Sequence, residues 1–210
     1  MTVTQCVFCQ RSDSPLTREH VFAQWLVRRV RGARLVPSNL PEWTPTRLGR
    51  LTAGVCARCN AGWMSTLEVS FRQAFFARPR TGELRAPDRL TLSRWFAKTA
   101  TLVASANGAT LLDAVERARL EKGMPDVEVF IARRRRPPQR LDFALQLVAE
   151  SPHASLRARS VALLIDDIVG HVAVKDVLTS QYGTRLWPLR THTLRWETLP
   201  VIKAAALAKS

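Results

Sequence analysis

The 210-residue chain reads as an α+β protein. Three observations predict that class. All four cysteines fall in two CxxC pairs, Cys6/Cys9 and Cys56/Cys59, which mark a small metal-stapled unit in the first third of the chain. From Val21 to Gly123, apolar residues recur mostly at helical spacing. From Val127 the period becomes two, as in half-buried strands. The order predicts a zinc domain over residues 1–78, a linker over 79–90, and a domain over 91–210 with two helices followed by a small antiparallel sheet.

Cys6-Val-Phe-Cys9 forms a knuckle, with Ser12-Asp-Ser-Pro15 as loop residues behind it. Val21, Phe22, Trp25, Leu26 and Val30 then share a helical face, Gln24, Arg28, Arg29 and Arg31 take the other, and Gly32 is the stop. His20 therefore sits at the mouth of a short helix with a basic outer side. Pro37, Pro41 and Pro45 argue against a helix over 33–54, and residues 47–54 read as a short strand entering the second CxxC. Trp63, Met64, Leu67, Phe71, Ala74 and Phe75 set a helix after Asn60 that ends before Pro79. Arg80-Thr-Gly-Glu83 and Ala86-Pro-Asp88 compose the linker.

A helix over 91–105 turns Leu92, Trp95, Phe96, Thr99 and Val103 inward, and another over about 110–122 ends near Gly123. Val127–Ile131 is a strand, residues 141–148 alternate cleanly, and Val161–Ile165 with Ile168–Val174 read as a hairpin turning at Asp166-Asp167. Arg133–Arg136 before Pro137-Pro138 reads as a basic hairpin tip, and Ala204–Ser210 as a frayed helical end. No internal repeat is present.

The formal net charge is +15, from 32 basic and 17 acidic residues. The pI of about 11.3 points to a polyanionic partner, nucleic acid first. Arginine dominates the excess, which suits bidentate phosphate contact. Arg28, Arg29 and Arg31 on the first helix and Arg133, Arg134, Arg135 and Arg136 at the tip are the candidate contacts. The bland reading of either run is a solvated charged face. No apolar run reaches about 18 residues, so no membrane span is expected. The first residues lack the basic and apolar regions of a secretory leader, so a cytoplasmic setting is expected. Cysteines stay reduced there, and paired CxxC reads as metal rather than disulfide.

Four thiolates close a tetrahedral structural Zn²⁺ site on Cys6, Cys9, Cys56 and Cys59. The ion would staple two distant segments and hold what lies between, including Glu19-His20. An imidazole there can deprotonate a water, and a carboxylate with a side-chain oxygen can hold a Mg²⁺-type ion. Asn60, directly after Cys59, supplies such an oxygen, or simply caps the helix that follows. Lys98, on an otherwise apolar helix, is either a buried partner to an acid or a snorkelling side chain. His153, His171 and His192 have no metal-ligand spacing, and Trp187 and Trp196 read as packing.

The order CxxC, then Glu19-His20, then Cys56-Ala-Arg-Cys59-Asn60 resembles the zinc-stapled branch of the HNH endonucleases, whose ββα-metal core cuts DNA. Pro15–Leu26 and Val55–Glu68, with Trp95-Phe-Ala-Lys98-Thr99 and Leu186-Trp-Pro188, resemble a set of bacterial HNH-like proteins of unassigned role. The resemblance implies an N-terminal ββα-metal domain and hydrolysis of DNA phosphodiesters. It implies His20 as general base, Glu19 and Asn60 as ligands of a catalytic Mg²⁺ or Mn²⁺, and the four cysteines as zinc ligands. A homodimer is an arrangement it allows. This chain departs from the pattern in three places: Glu19 replaces Asp, Leu51 stands where the central Asn is usual, and Trp63 replaces a basic residue. The alternative is a non-catalytic zinc module that binds nucleic acid or protein through a degenerate core.

Overall fold

A computed structural model describes residues 5–31, 51–76, 81–134, 141–148, 156–175, 183–189 and 193–202. The first element is an antiparallel ribbon of β1 (Leu16–His20) and β2 (Thr52–Cys56), with Leu16 opposite Cys56 and His20 opposite Thr52. Helix α1 (Gln24–Arg31) follows β1. After β2 come a single helical turn, α2 (Ala57–Cys59), a π-helical turn over Asn60–Met64, and α3 (Ser65–Phe76). The chain kinks at Gly62, where φ is −87° and ψ is −114°.

Helix α4 (Ala86–Ala106) is the central beam, buried along most of its length from Leu92 to Ala104. It starts inside the stretch expected to be linker. Pro87 and Asp88 look like loop residues, but both suit a first helical turn, where a missing N–H costs nothing and a negative charge faces the helix dipole. The second helix is shorter than expected: β3 (Ala109–Thr110) occupies its start, and α5 (Ala114–Arg119) remains, capped by Asp113 accepting from the Glu116 N–H at 2.8 Å.

The remaining strands are β4 (Val127–Arg134), β5 (Leu141–Val148), β6 (Leu156–Ile165), β7 (Ile168–Val174), β8 (Thr184–Trp187) and β9 (Val201–Ile202). With β3 they form one mixed seven-stranded sheet in the order β3-β6-β7-β4-β8, with β5 paired to β6 and β9 to β4. The expected hairpin β6–β7 is present and turns through Asp166 at φ 57°. Arg133 and Arg134 do not lie at a hairpin tip joining β4 to β5, because β4 pairs with β7 and β8 while β5 pairs with β6. Alternation identifies strands but not their neighbours. Arg135, Arg136, His153, His192 and Ala204–Ser210 lie outside the described residues.

One apolar cluster runs from Cys6 to Leu199, so the cysteine-bearing ribbon and the sheet share a core with α4 between them. Aromatic residues fill the join. Phe71 of α3 stacks on Trp95 of α4 with ring centroids 3.8 Å apart and an interplanar angle of 9°. On the sheet side, β7 carries Gly170 because a Cβ there would stand 2.2 Å from the Phe96 ring.

His171, next along β7, is buried, and burial depresses its imidazole to a pKa of about 4. A depressed folded-state pKa stabilises the neutral form. This contribution is complete above the ordinary value of 6.5 and is lost as pH falls towards 4. Between about pH 7 and about pH 5 the wild type is expected to lose roughly 2 kcal/mol more stability than His171→Leu. Urea unfolding of both proteins at each pH checks this. Parallel pH profiles would contradict it.

Candidate functional site

The site is built from the cysteines outward. Cys6-Val-Phe-Cys9 closes on itself through the Gln10 N–H donating to the Cys6 carbonyl at 3.0 Å, with Gln10 at φ 60°. The Val7 N–H donates to the Gly54 carbonyl at 3.0 Å, which docks the knuckle on β2. The second pair straddles the end of β2 and the single turn of α2. The four sulfurs lie within 4.8 Å of one another, and Cys9 Sγ stands 3.6 Å from Cys56 Sγ. A tetrahedral Zn–S₄ centre with bonds of ~2.3 Å has S···S edges of ~3.8 Å, so the spacing fits a structural ion such as zinc.

The electrostatics fit as well. Burial works against a Cys6 thiolate, yet backbone N–H groups of Cys56, Cys9 and Phe8 bring its pKa below the ordinary thiol value. Burial, then the charge of Cys6, pushes the Cys59 thiol up, and burial first of all raises Cys9. A bound cation relieves that crowding of sulfur charge. Trp63, four residues after Cys59, packs edge-on against Phe8 of the knuckle with ring centroids 5.1 Å apart.

Glu19 and His20 end β1, one strand away from the sulfurs. Asn60 does not cap a helix start. The chain is already helical at Ala57, and Asn60 has φ −64° and ψ −58°. Its side chain instead donates to Thr17 Oγ1 at 3.2 Å, and Thr17 donates to the Val55 carbonyl at 2.8 Å, so Asn60 is braced against both strands. Burial, the largest influence, lifts the Glu19 pKa above the usual carboxylate range; Lys98 opposes the rise, Glu68 adds to it, and Asn60 and His20 counter it. The His20 Nε2 faces the Gln24 side-chain amide at 3.0 Å. Its Nδ1 is buried and has no hydrogen-bond partner among the described residues.

Behind these residues lies a polar hub that sequence reasoning only half identified. Lys98 is 1% exposed and reaches Glu68 Oε1 at 2.5 Å. The Trp95 indole donates to the same oxygen at 2.8 Å, and the Trp25 indole donates to Oε2 at 3.3 Å. Lys98 is therefore the buried partner of an acid. The signal for that acid was legible: Glu68 is the sole acidic residue of α3, and Lys98 interrupts the apolar stripe of α4.

The candidate nucleic-acid contacts divide. Arg28 and Arg29 are exposed on α1, whereas the Arg31 side chain lies outside the described residues. Arg133 is engaged by Asp167, its Nε at 3.1 Å and its Nη2 at 2.9 Å from Oδ2. Arg134 ends β4 beside it. Among the described residues, no helix is long and apolar enough to cross a membrane. No protein-family model, curated protein or solved structure matches this chain.

Proposed function

We propose that the protein is an HNH-type endonuclease that hydrolyses DNA phosphodiesters. The observation that carries this reading is the braced side-chain set Glu19, His20 and Asn60 on a strand–strand–helix unit whose ends meet at the four cysteines. In this reading Glu19 and Asn60 hold a Mg²⁺ or Mn²⁺, two oxygen donors of the kind such an ion takes. The ion supplies positive charge beside the scissile phosphate. With the ring proton on Nδ1, His20 keeps its lone pair at Nε2, the nitrogen at the exposed contact with the Gln24 amide. Nε2 would take a proton from water as the water oxygen bonds to phosphorus, the bond to the leaving deoxyribose oxygen breaks, and that oxygen takes up a proton from solvent.

The absent central Asn does not leave the ribbon without a brace, because Thr17 ties Asn60 to β2 through the Val55 carbonyl. Glu19 must be ionised to hold a cation; burial, which raises its pKa, works against this, and a bound divalent ion would favour the ionised form. Zinc-loaded protein is expected to nick supercoiled plasmid with Mg²⁺ or Mn²⁺ and not without them. Intact plasmid, duplex, single strand and RNA under both ions would instead leave the non-catalytic zinc module.

A further inference from the structure

The outer sides of α1 and α3 carry arginines of an unusual kind. Arg29 lies over the Phe76 ring with Cζ 4.5 Å from its centroid, and Arg72 lies over Trp25 at 5.6 Å. The two rings themselves meet edge to face at 5.6 Å. One aromatic pair thus seats two exposed guanidinium groups, and Arg28 stands exposed beside Arg29.

Several arginines elsewhere are ion-paired: Arg11 with Asp13, Arg58 with Glu121, Arg119 with Glu116, Arg133 with Asp167 and Arg185 with Glu128. Among the described residues Arg28, Arg29 and Arg72 form no ion pair. The cause is in the sequence. Helix α1 contains no acid, and the sole acid of α3, Glu68, is turned inward to Lys98 and two indoles.

We infer that Arg28, Arg29 and Arg72 form a docking ridge for the phosphate backbone of duplex DNA, leading to His20. Rings hold a guanidinium flat without cancelling its charge, and they leave its N–H edges free for bidentate phosphate contact. Seating the side chain beforehand also lowers the ordering cost on binding. The direction follows from α1: Gln24, its first residue, touches His20, and Arg28 lies one turn further on. Such contacts grip the duplex without reading its sequence. The ridge shares its partner with the proposed nuclease, but not its chemistry, so binding can persist where nicking fails.

The test is fluorescence anisotropy of a labelled duplex, without divalent ions, between about 50 and about 200 mM salt. Arg72→Met keeps the stem on Trp25 and removes the charge, and Arg72→Gln is the second variant should Met perturb folding. The log–log salt slope is expected to fall by about 1 for either variant and by about 2 for Arg29→Met/Arg72→Met. Arg133→Met is expected to keep the wild-type slope. A double variant that binds with the wild-type slope and affinity would overturn the ridge, as would a wild type that binds an acidic polypeptide but not the duplex.

Discussion

Cys56→Ser is expected to abolish zinc binding and unfold the ribbon that carries Glu19 and His20. Cys56 is wholly buried, ends β2, and lies 47 residues from Cys9, its 3.6 Å sulfur neighbour. Ion binding closes that long loop, and the free energy of binding is then folding free energy, on the order of 10 kcal/mol or more for structural zinc in small peptides. Even a fraction of this rivals the ~5–15 kcal/mol net stability of a domain. Besides the ion, the knuckle is held by the Val7–Gly54 hydrogen bond and by burial of Val7 and Phe8. Zinc content beside thermal unfolding checks the prediction. A metal-free Cys56→Ser protein with the wild-type midpoint would contradict it.

Breaking the hub under the ribbon has the next largest expected effect. Glu68→Gln leaves Lys98, at 1% exposure, without its ion-pair partner. Removing one partner of a buried pair costs about 3–5 kcal/mol, because the other charge stays out of water. Glu68→Gln/Lys98→Met removes both charges and is expected to recover most of that loss, since an apolar side chain suits the stripe of α4 beside Trp95 and Thr99. A double-mutant cycle by chemical denaturation reads the coupling. A Glu68→Gln cost under about 1 kcal/mol would mean that the pair behaves like a surface contact.

Much of this arrangement was legible in the residues. The CxxC spacing brings the four sulfurs together, and helical spacing identified α1, α3 and α4. Period-two alternation found β4, β5 and the β6–β7 hairpin. Strand β1 was not legible: Leu16-Thr-Arg-Glu-His20 has one aliphatic residue, and its pairing with β2 lies across a long insertion. The start of α4 at Ala86 was hidden because proline signals both loops and first helical turns.

Asn60 was open between cap and ligand on local sequence, and only tertiary structure decides against the cap, by starting the helix earlier. The basic run at Arg133 read as a free tip. Asp167, which engages it, lies 34 residues away in the turn between β6 and β7. Arg72 went unremarked for the opposite reason. A lone arginine on a helix surface carries no sequence signal, and its seat on Trp25 depends on how α1 and α3 pack.

The most direct test of the account is plasmid nicking by His20→Ala, run beside wild type with Mg²⁺ or Mn²⁺ and with zinc quantified in both. The variant is expected to keep about one zinc per chain, since His20 is not among the clustered ligands. Its nicking rate is expected to be lower by about 10²–10⁴-fold, the contribution of a positioned general base. Zinc-loaded His20→Ala that nicks at the wild-type rate would contradict it.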